Sequence, residues 1–114
     1  MNIVPRSYFR MLNLSEDALK SLEGELLKGI RYRTGKNFKD KDKRVLTIPV
    51  DSSTTLGLLQ AVLEGAAGSE HDFFVSISSE KQSLVVEIPS LVLQLQSSIG
   101  GRISFSYTCT SDPD

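Results

Sequence analysis

Apolar and polar positions along this chain change period several times, and each change marks an element. Residues 7–12, SYFRML, mix aromatic and aliphatic side chains and predict a short first strand. The following NLSEDALKSLEGELLKG has Ala18, Leu19, Leu22 and Leu26 at helical spacing, which predicts a helix with one stripe toward a core. Asn13 or Ser15 can cap it, Glu16 and Asp17 suit its positive N-terminal end, and Gly29 can stop it after Lys28. Gly24 should weaken that helix by up to ~1 kcal/mol without breaking it. Residues 30–34 and 44–50 then read as two strands, with Gly35 and Asn37 supplying turn chemistry between them. Pro49 cannot donate to a ladder, so it belongs at a strand end or on an edge.

A second helix is expected after Asp51, Ser52 or Ser53, with Leu56, Leu59, Val62 and Leu63 on its inner side and the run GAAG (65–68) ending it. DFFVSIS (72–78) and SLVVEI (83–88), joined by SEKQ, predict a hairpin. Residues 89–99 carry two periods, since Leu91, Leu93 and Leu95 alternate while Val92, Leu95 and Ile99 form a helical stripe. Pro89 at the start and Gly100-Gly101 at the end favour a helix. In the last element, RISFSYTC, Ile103, Phe105, Tyr107 and Cys109 share one phase, read as inward, and Arg102, Ser104 and Ser106 the other. Residues 110–114 read as a frayed tail. The order β-α-β-β-α-β-β-α-β predicts one α+β domain over 1–114. Its sheet would be mainly antiparallel, with five or six strands and about three helices packed on it. Half-polar strands agree, because a sheet covered on both faces would read as nearly continuous apolar runs.

Composition narrows the class. A chain of 114 residues with 39% hydrophobic and 24% charged residues is an ordinary folded domain. No apolar run approaches the ~20 residues of a membrane span, and MNIVPRSYFR lacks a signal peptide's apolar stretch, so a cytoplasmic location is expected. Cys109 is the only cysteine, which excludes an internal disulfide framework. The net charge of −1 conceals a division. Residues 1–50 hold eleven Lys/Arg against six Asp/Glu, and residues 51–114 hold two against eight. Such a polarised surface orients partners.

Candidate chemistry is sparse. His71 is the only histidine, so a zinc site lacks ligands, and Glu70 and Asp72 in SEHDF read as solvated residues leading into a strand. A cysteine nucleophile would need Cys109 to meet His71, whereas its strand phase reads as a small packed hydrophobe. G-x-S-x-G, the P-loop pattern and G-x-G-x-x-G are all absent. These absences favour binding over catalysis, with no cofactor and no metal. The main positive signal is RYRTGKNFKDKDKR (31–44), in which Arg31, Arg33, Lys36, Lys39, Lys41, Lys43 and Arg44 surround Tyr32 and Phe38. Asp40 and Asp42 dilute its field, so it reads first as a solvated hairpin loop, next as a protein-docking surface and least as a grip on nucleic acid. Glu64, Glu70, Asp72 and Glu80, with Asp51 and Glu87, offer a complementary acidic surface for a basic partner.

This profile of a small α+β domain with a polarised surface and no catalytic constellation resembles the immunity proteins that bacteria encode beside toxins of contact-dependent growth inhibition and related systems. Those families share no common motif, so the resemblance assigns no residue. It implies a stoichiometric inhibitor that binds one toxin domain, often a nuclease, and blocks its active site or substrate path. The expected contact residues are Glu64, Glu70, Asp72 and Glu80 on one side and Arg31, Arg33, Lys36 and Lys39 on the other. Two alternatives belong to other classes. One is a small-molecule-sensing regulatory domain, suggested by the β-α-β-β order, and the other a nucleic-acid-binding accessory protein that uses residues 31–44.

Overall fold

Alternation along the first strand organises the whole molecule. In the computed structural model, which describes residues 5–51, 54–66, 69–79 and 88–109, strand β1 (Arg6–Leu14) buries Ser7, Phe9, Met11 and Leu14 and turns Tyr8, Arg10 and Leu12 to the opposite face. Helix α1 (Glu16–Gly24) follows, and of the two candidate caps it is Ser15 whose Oγ accepts from the Ala18 amide at 3.1 Å. The helix stops at Gly24 rather than running to Gly29. Glu25 leaves helical geometry (φ −124°, ψ −67°), and the Leu27 amide reaches back five residues to the Leu22 carbonyl at 2.9 Å. That wide turn buries Leu27, which a continuous helix would have to place by its 3.6-residue period alone. Gly29, at φ +76°, then redirects the chain.

Strand β2 (Arg33–Lys36) begins later than residue 30, and β3 (Arg44–Pro49) follows the basic loop. Pro49 closes β3 beyond the last β2 pair, Arg33–Thr47, so its missing N–H disrupts no ladder. Helix α2 (Leu56–Gly65) is capped by Thr55, whose hydroxyl accepts from the Leu58 amide, and not by Asp51, Ser52 or Ser53. Thr54 instead donates to the Pro49 carbonyl and accepts from the Asp51 amide, closing the turn one residue earlier. Strand β4 (His71–Ser79) comes next. The hairpin expected over 72–78 and 83–88 rests on residues 80–87, which lie outside the described residues, as do 110–114. Helix α3 (Ser90–Ile99) resolves the double period of 89–99 in favour of helix, and β5 (Arg102–Cys109) ends the fold.

The sheet order is β2-β3-β1-β4-β5, antiparallel throughout except for the parallel pair β4–β5. This is the expected α+β class with a mainly antiparallel sheet, mixed at one edge. Strands β1 and β2 flank β3, and β3 and β4 flank β1, so two β-α-β units interleave, as in split β-α-β folds. A third crossover through α3 adds β5. All three helices contribute to one core with one sheet face. Leu19 and Leu22 of α1, Leu59 and Val62 of α2, and Val92 and Leu95 of α3 join Phe9, Met11, Leu46, Ile48 and Phe73. Phe9 and Phe73 meet edge to face at 5.5 Å.

The last strand departs from its inward reading. Register sets Ile103, Phe105 and Tyr107 opposite Phe73, Val75 and Ile77, so their phase is that of the core. Ile103 packs there, but Phe105 and Tyr107 remain 54% and 44% exposed on β5, the last strand of the sheet order among the described residues. Cys109 shares their phase opposite Ser79, and its side chain lies outside the described residues.

Two local features yield tests. The Tyr32 hydroxyl donates to Glu23 at 2.7 Å, and that bond, together with desolvation and the charge of Glu23, raises its pKa. The stabilisation is therefore present below the phenol's ordinary value of about 10 and is lost as pH rises through the raised one. Glu23→Ala should bring one tyrosine titration down, read by ultraviolet difference absorbance. The α3–β5 turn is stricter. Gly100 and Gly101 have φ of +74° and +101°, and a Cβ on Gly101 would stand 2.7 Å from His71 Nε2. Gly101→Ala should destabilise by about 2–4 kcal/mol in urea unfolding. Adding His71→Ala should restore only the steric share, since the backbone strain stays.

Candidate binding face

Pairing register aligns charged and aromatic side chains across the sheet face opposite the three described helices. One row runs Arg33, Thr47, Arg10, Asp72, Arg102 from β2 to β5. The next holds Pro49, Tyr8, Phe74 and Ser104, and a third holds Arg6, Ser76 and Ser106. Neighbouring strands lie about 4.8 Å apart, so Arg33 and Arg102 each stand roughly 10 Å from Arg10.

The centre of this face is fixed by one ion pair. Arg10 donates to Asp72 in bidentate fashion, Nε to Oδ1 at 2.8 Å and Nη2 to Oδ2 at 2.5 Å, and Ser104 Oγ donates to Oδ2 at 3.1 Å. Asp72 is only 4% exposed. The same guanidinium lies 4.3 Å from the Phe74 ring centroid, and that of Arg33 lies 5.7 Å from Tyr8. Tyr8 and Phe74 are themselves neighbours, with centroids 6.4 Å apart. Arginines thus layer over the aromatic row.

Beside these rows, an open groove of about 970 Å³ runs between β1 and the β2–β3 loop, lined by Arg10, Arg33, Lys36, Phe38, Lys39 and Glu70 among others. A smaller cavity of about 350 Å³, between Gly29–Arg31 and Thr54–Leu58, gathers no comparable set of charged groups.

The expected contact residues separate in space. Arg33, Lys36 and Lys39 line the groove, while Arg31 lines an adjoining cleft with Arg6 and Tyr8. Glu70 sits among the basic groups of the groove. Glu64 is exposed on α2, in the helical layer on the other side of the sheet. Asp72 is buried and engaged by Arg10, so it offers no carboxylate to a partner, and Glu80 lies outside the described residues. An acidic surface built jointly from Glu64, Glu70 and Asp72 is therefore not what the fold assembles. The prominent surface is basic and aromatic. Arg6, Tyr8, Arg10, Phe74 and Arg102 were absent from the expected set. The strict alternation of Arg6, Tyr8 and Arg10 with Ser7, Phe9 and Met11 was the signal that could have found the first three.

Chemical alternatives gain nothing from the geometry. No group of three His, Cys, Asp or Glu residues is placed to hold a metal among the described residues. His71 begins β4 and Cys109 ends the paired β5, roughly 25 Å apart at ~3.3 Å per residue, too far for a cysteine–histidine pair. No described helix is long and apolar enough to cross a membrane. No protein-family model, curated protein or solved structure matches the chain.

The central pair should respond asymmetrically to truncation. Arg10→Ala leaves a buried carboxylate with Ser104 alone and should cost about 3–5 kcal/mol in urea unfolding. Asp72→Ala leaves a guanidinium that already reaches solvent and should cost about 1–2 kcal/mol.

Proposed function

We propose that this protein is a non-catalytic binding module that recognises a protein partner across the open face of its sheet. In its profile it fits the toxin-immunity proteins, acting in the cytoplasm as a stoichiometric inhibitor. The observation that carries the reading is the set of arginines on that face, Arg6, Arg10, Arg33 and Arg102, interleaved with Tyr8 and Phe74 and covered by none of the described helices. Arginine and aromatic side chains are those that dominate protein interfaces. The partner surface complementary to this face is acidic, the reverse of the basic surface that the charge division along the chain suggests.

A specific observation also favours single-stranded nucleic acid, since aromatic rows with flanking arginines make a stacking platform. Three features weigh against it. Both rings already carry a guanidinium, Asp72 neutralises Arg10, and Glu70 and Asp40 stand in the groove where phosphates would lie. A protein surface can match both signs in one interface. A small-molecule sensor would want an enclosed apolar pocket, and this groove is open and charged.

The test is a triple variant, Arg6→Glu, Arg33→Glu and Arg102→Glu, at three exposed positions, compared with wild type after tagged purification from source cells. Wild type should yield an equimolar complex with one protein that weakens as salt rises from roughly 0.1 to 0.5 M, and the folded variant should yield none. Micromolar binding of wild type to single-stranded oligouridine, with no protein complex, would sink the reading.

A further inference from the structure

Phe38 is 102% exposed, a phenyl ring held wholly in water at the tip of the β2–β3 loop. Its backbone surroundings are nevertheless fixed. The Asn37 side chain donates to the Leu12 carbonyl at 2.8 Å and to Asn13 Oδ1 at 3.0 Å, and its own Oδ1 accepts from the Lys39 and Asp40 amides at 2.8 and 3.3 Å. One side chain therefore ties the residues on both sides of Phe38 to strand β1. The far half of the loop is closed as well. The Asn37 amide donates to the Lys43 carbonyl, the Lys43 amide to the Asp40 carbonyl, and the Asp42 amide to Asp40 Oδ1. Arg44 donates to the Lys41 carbonyl and forms an ion pair with Glu16 at the start of α1.

A solvated connector needs neither the ring nor this many ties. A loop held in one conformation while displaying its one large apolar side chain has already lost the freedom that binding would otherwise remove. We propose that Phe38 is the anchor of the interface: it inserts into an apolar pocket of the protein partner, and the pocket's rim carries carboxylates. Charge complementarity commits the occupant. Lys36 and Lys39 flank the ring and line the same groove, with Arg33 and Arg10 beside them, so the loop and the open face share one groove in which basic side chains outnumber the acidic Asp40 and Glu70. Asp40 turns one carboxylate oxygen into the loop's own turn, and Lys36, Lys39 and Lys41 outnumber Asp40 and Asp42 among the exposed charges around the ring. Aromatic anchors buried in a pocket within a polar rim are a usual form of an interface hot spot. This inference rests on the protein-binding reading and adds the residue that carries most of the affinity.

The experiment has two stages, both with the full chain. A photo-crosslinking phenylalanine analogue is placed at position 38, and as a control at exposed Lys28 ahead of β2, in source cells. The crosslinked peptides are then identified by mass spectrometry. Position 38 should give one protein, through a peptide bordered by Asp or Glu, and position 28 should not. That protein is then produced and titrated with wild type, Phe38→Ala, Phe38→Leu and the Lys36→Ala, Lys39→Ala double variant. Phe38→Ala should weaken binding by about 30-fold or more, and Phe38→Leu by about threefold, with unchanged melting temperatures. The lysine variant should bind more weakly and lose much of the salt dependence. If wild type binds its partner and Phe38→Ala stays within about threefold of it, the anchor is overturned while the binding reading stands. If position 38 crosslinks no protein and wild type instead binds oligouridine, or vesicles of phosphatidylcholine with phosphatidylglycerol, both fail together.

Discussion

Strand β1 pairs along both of its edges, with β3 and with β4, and every other feature of the molecule depends on its phase. Side chains alternate strictly along a strand, so a slip of one residue would send Tyr8 and Arg10 into the core and Phe9 and Met11 into water. Phe9 and Met11 are completely buried against the helices, which makes that slip prohibitive. The hydrophobic demand of one face thereby dictates the composition of the other. Arg6, Tyr8 and Arg10 are presented together because Phe9 and Met11 must be hidden.

The Arg10–Asp72 pair extends this constraint across strands. Its register places Phe9 opposite Phe73 one step along, so the same pairing that brings the core rings edge to face aligns the ion pair on the reverse face. A buried ion pair contributes little net stability when compared with apolar groups of the same shape. Its consequence here is geometric. It holds a guanidinium over the Phe74 ring and withdraws the acidic side chain at the centre of the open face, which leaves Arg33, Arg102 and Arg6 to set the face's charge. The surface is thus basic although residues 51–114 are net acidic.

The basic loop belongs to this same system. Asn37 ties it to the end of β1, and Arg44 ties its far side to the start of α1. The segment that looks most like a solvated connector in composition is, in space, a clamped extension of the sheet's open face. Its lysines neighbour Arg33 and Arg10 across the groove, and its phenyl ring is the most exposed large apolar side chain among the described residues.

Periodicity alone determined much of this. The α+β order, the strand at β1, the helical reading of 89–99 between Pro89 and Gly100, and the placement of 37–43 between two paired strands all follow from local spacing and turn chemistry, which act within a few residues. What lay beyond it required partners. Helix α1 ends at Gly24 because Leu27 gains a buried place through a wider turn, a benefit that exists only once the core is present. The exposure of Phe105 and Tyr107 goes with β5 being last in the order of the described strands, which is a property of strand order and not of alternation. Asp72 reads as a free surface acid until Arg10, 62 residues away, neutralises it. Local sequence sets which side chains share a face of one strand, but only pairing register decides which faces of different strands become one surface. That register is chosen by the packing of the opposite, hydrophobic side.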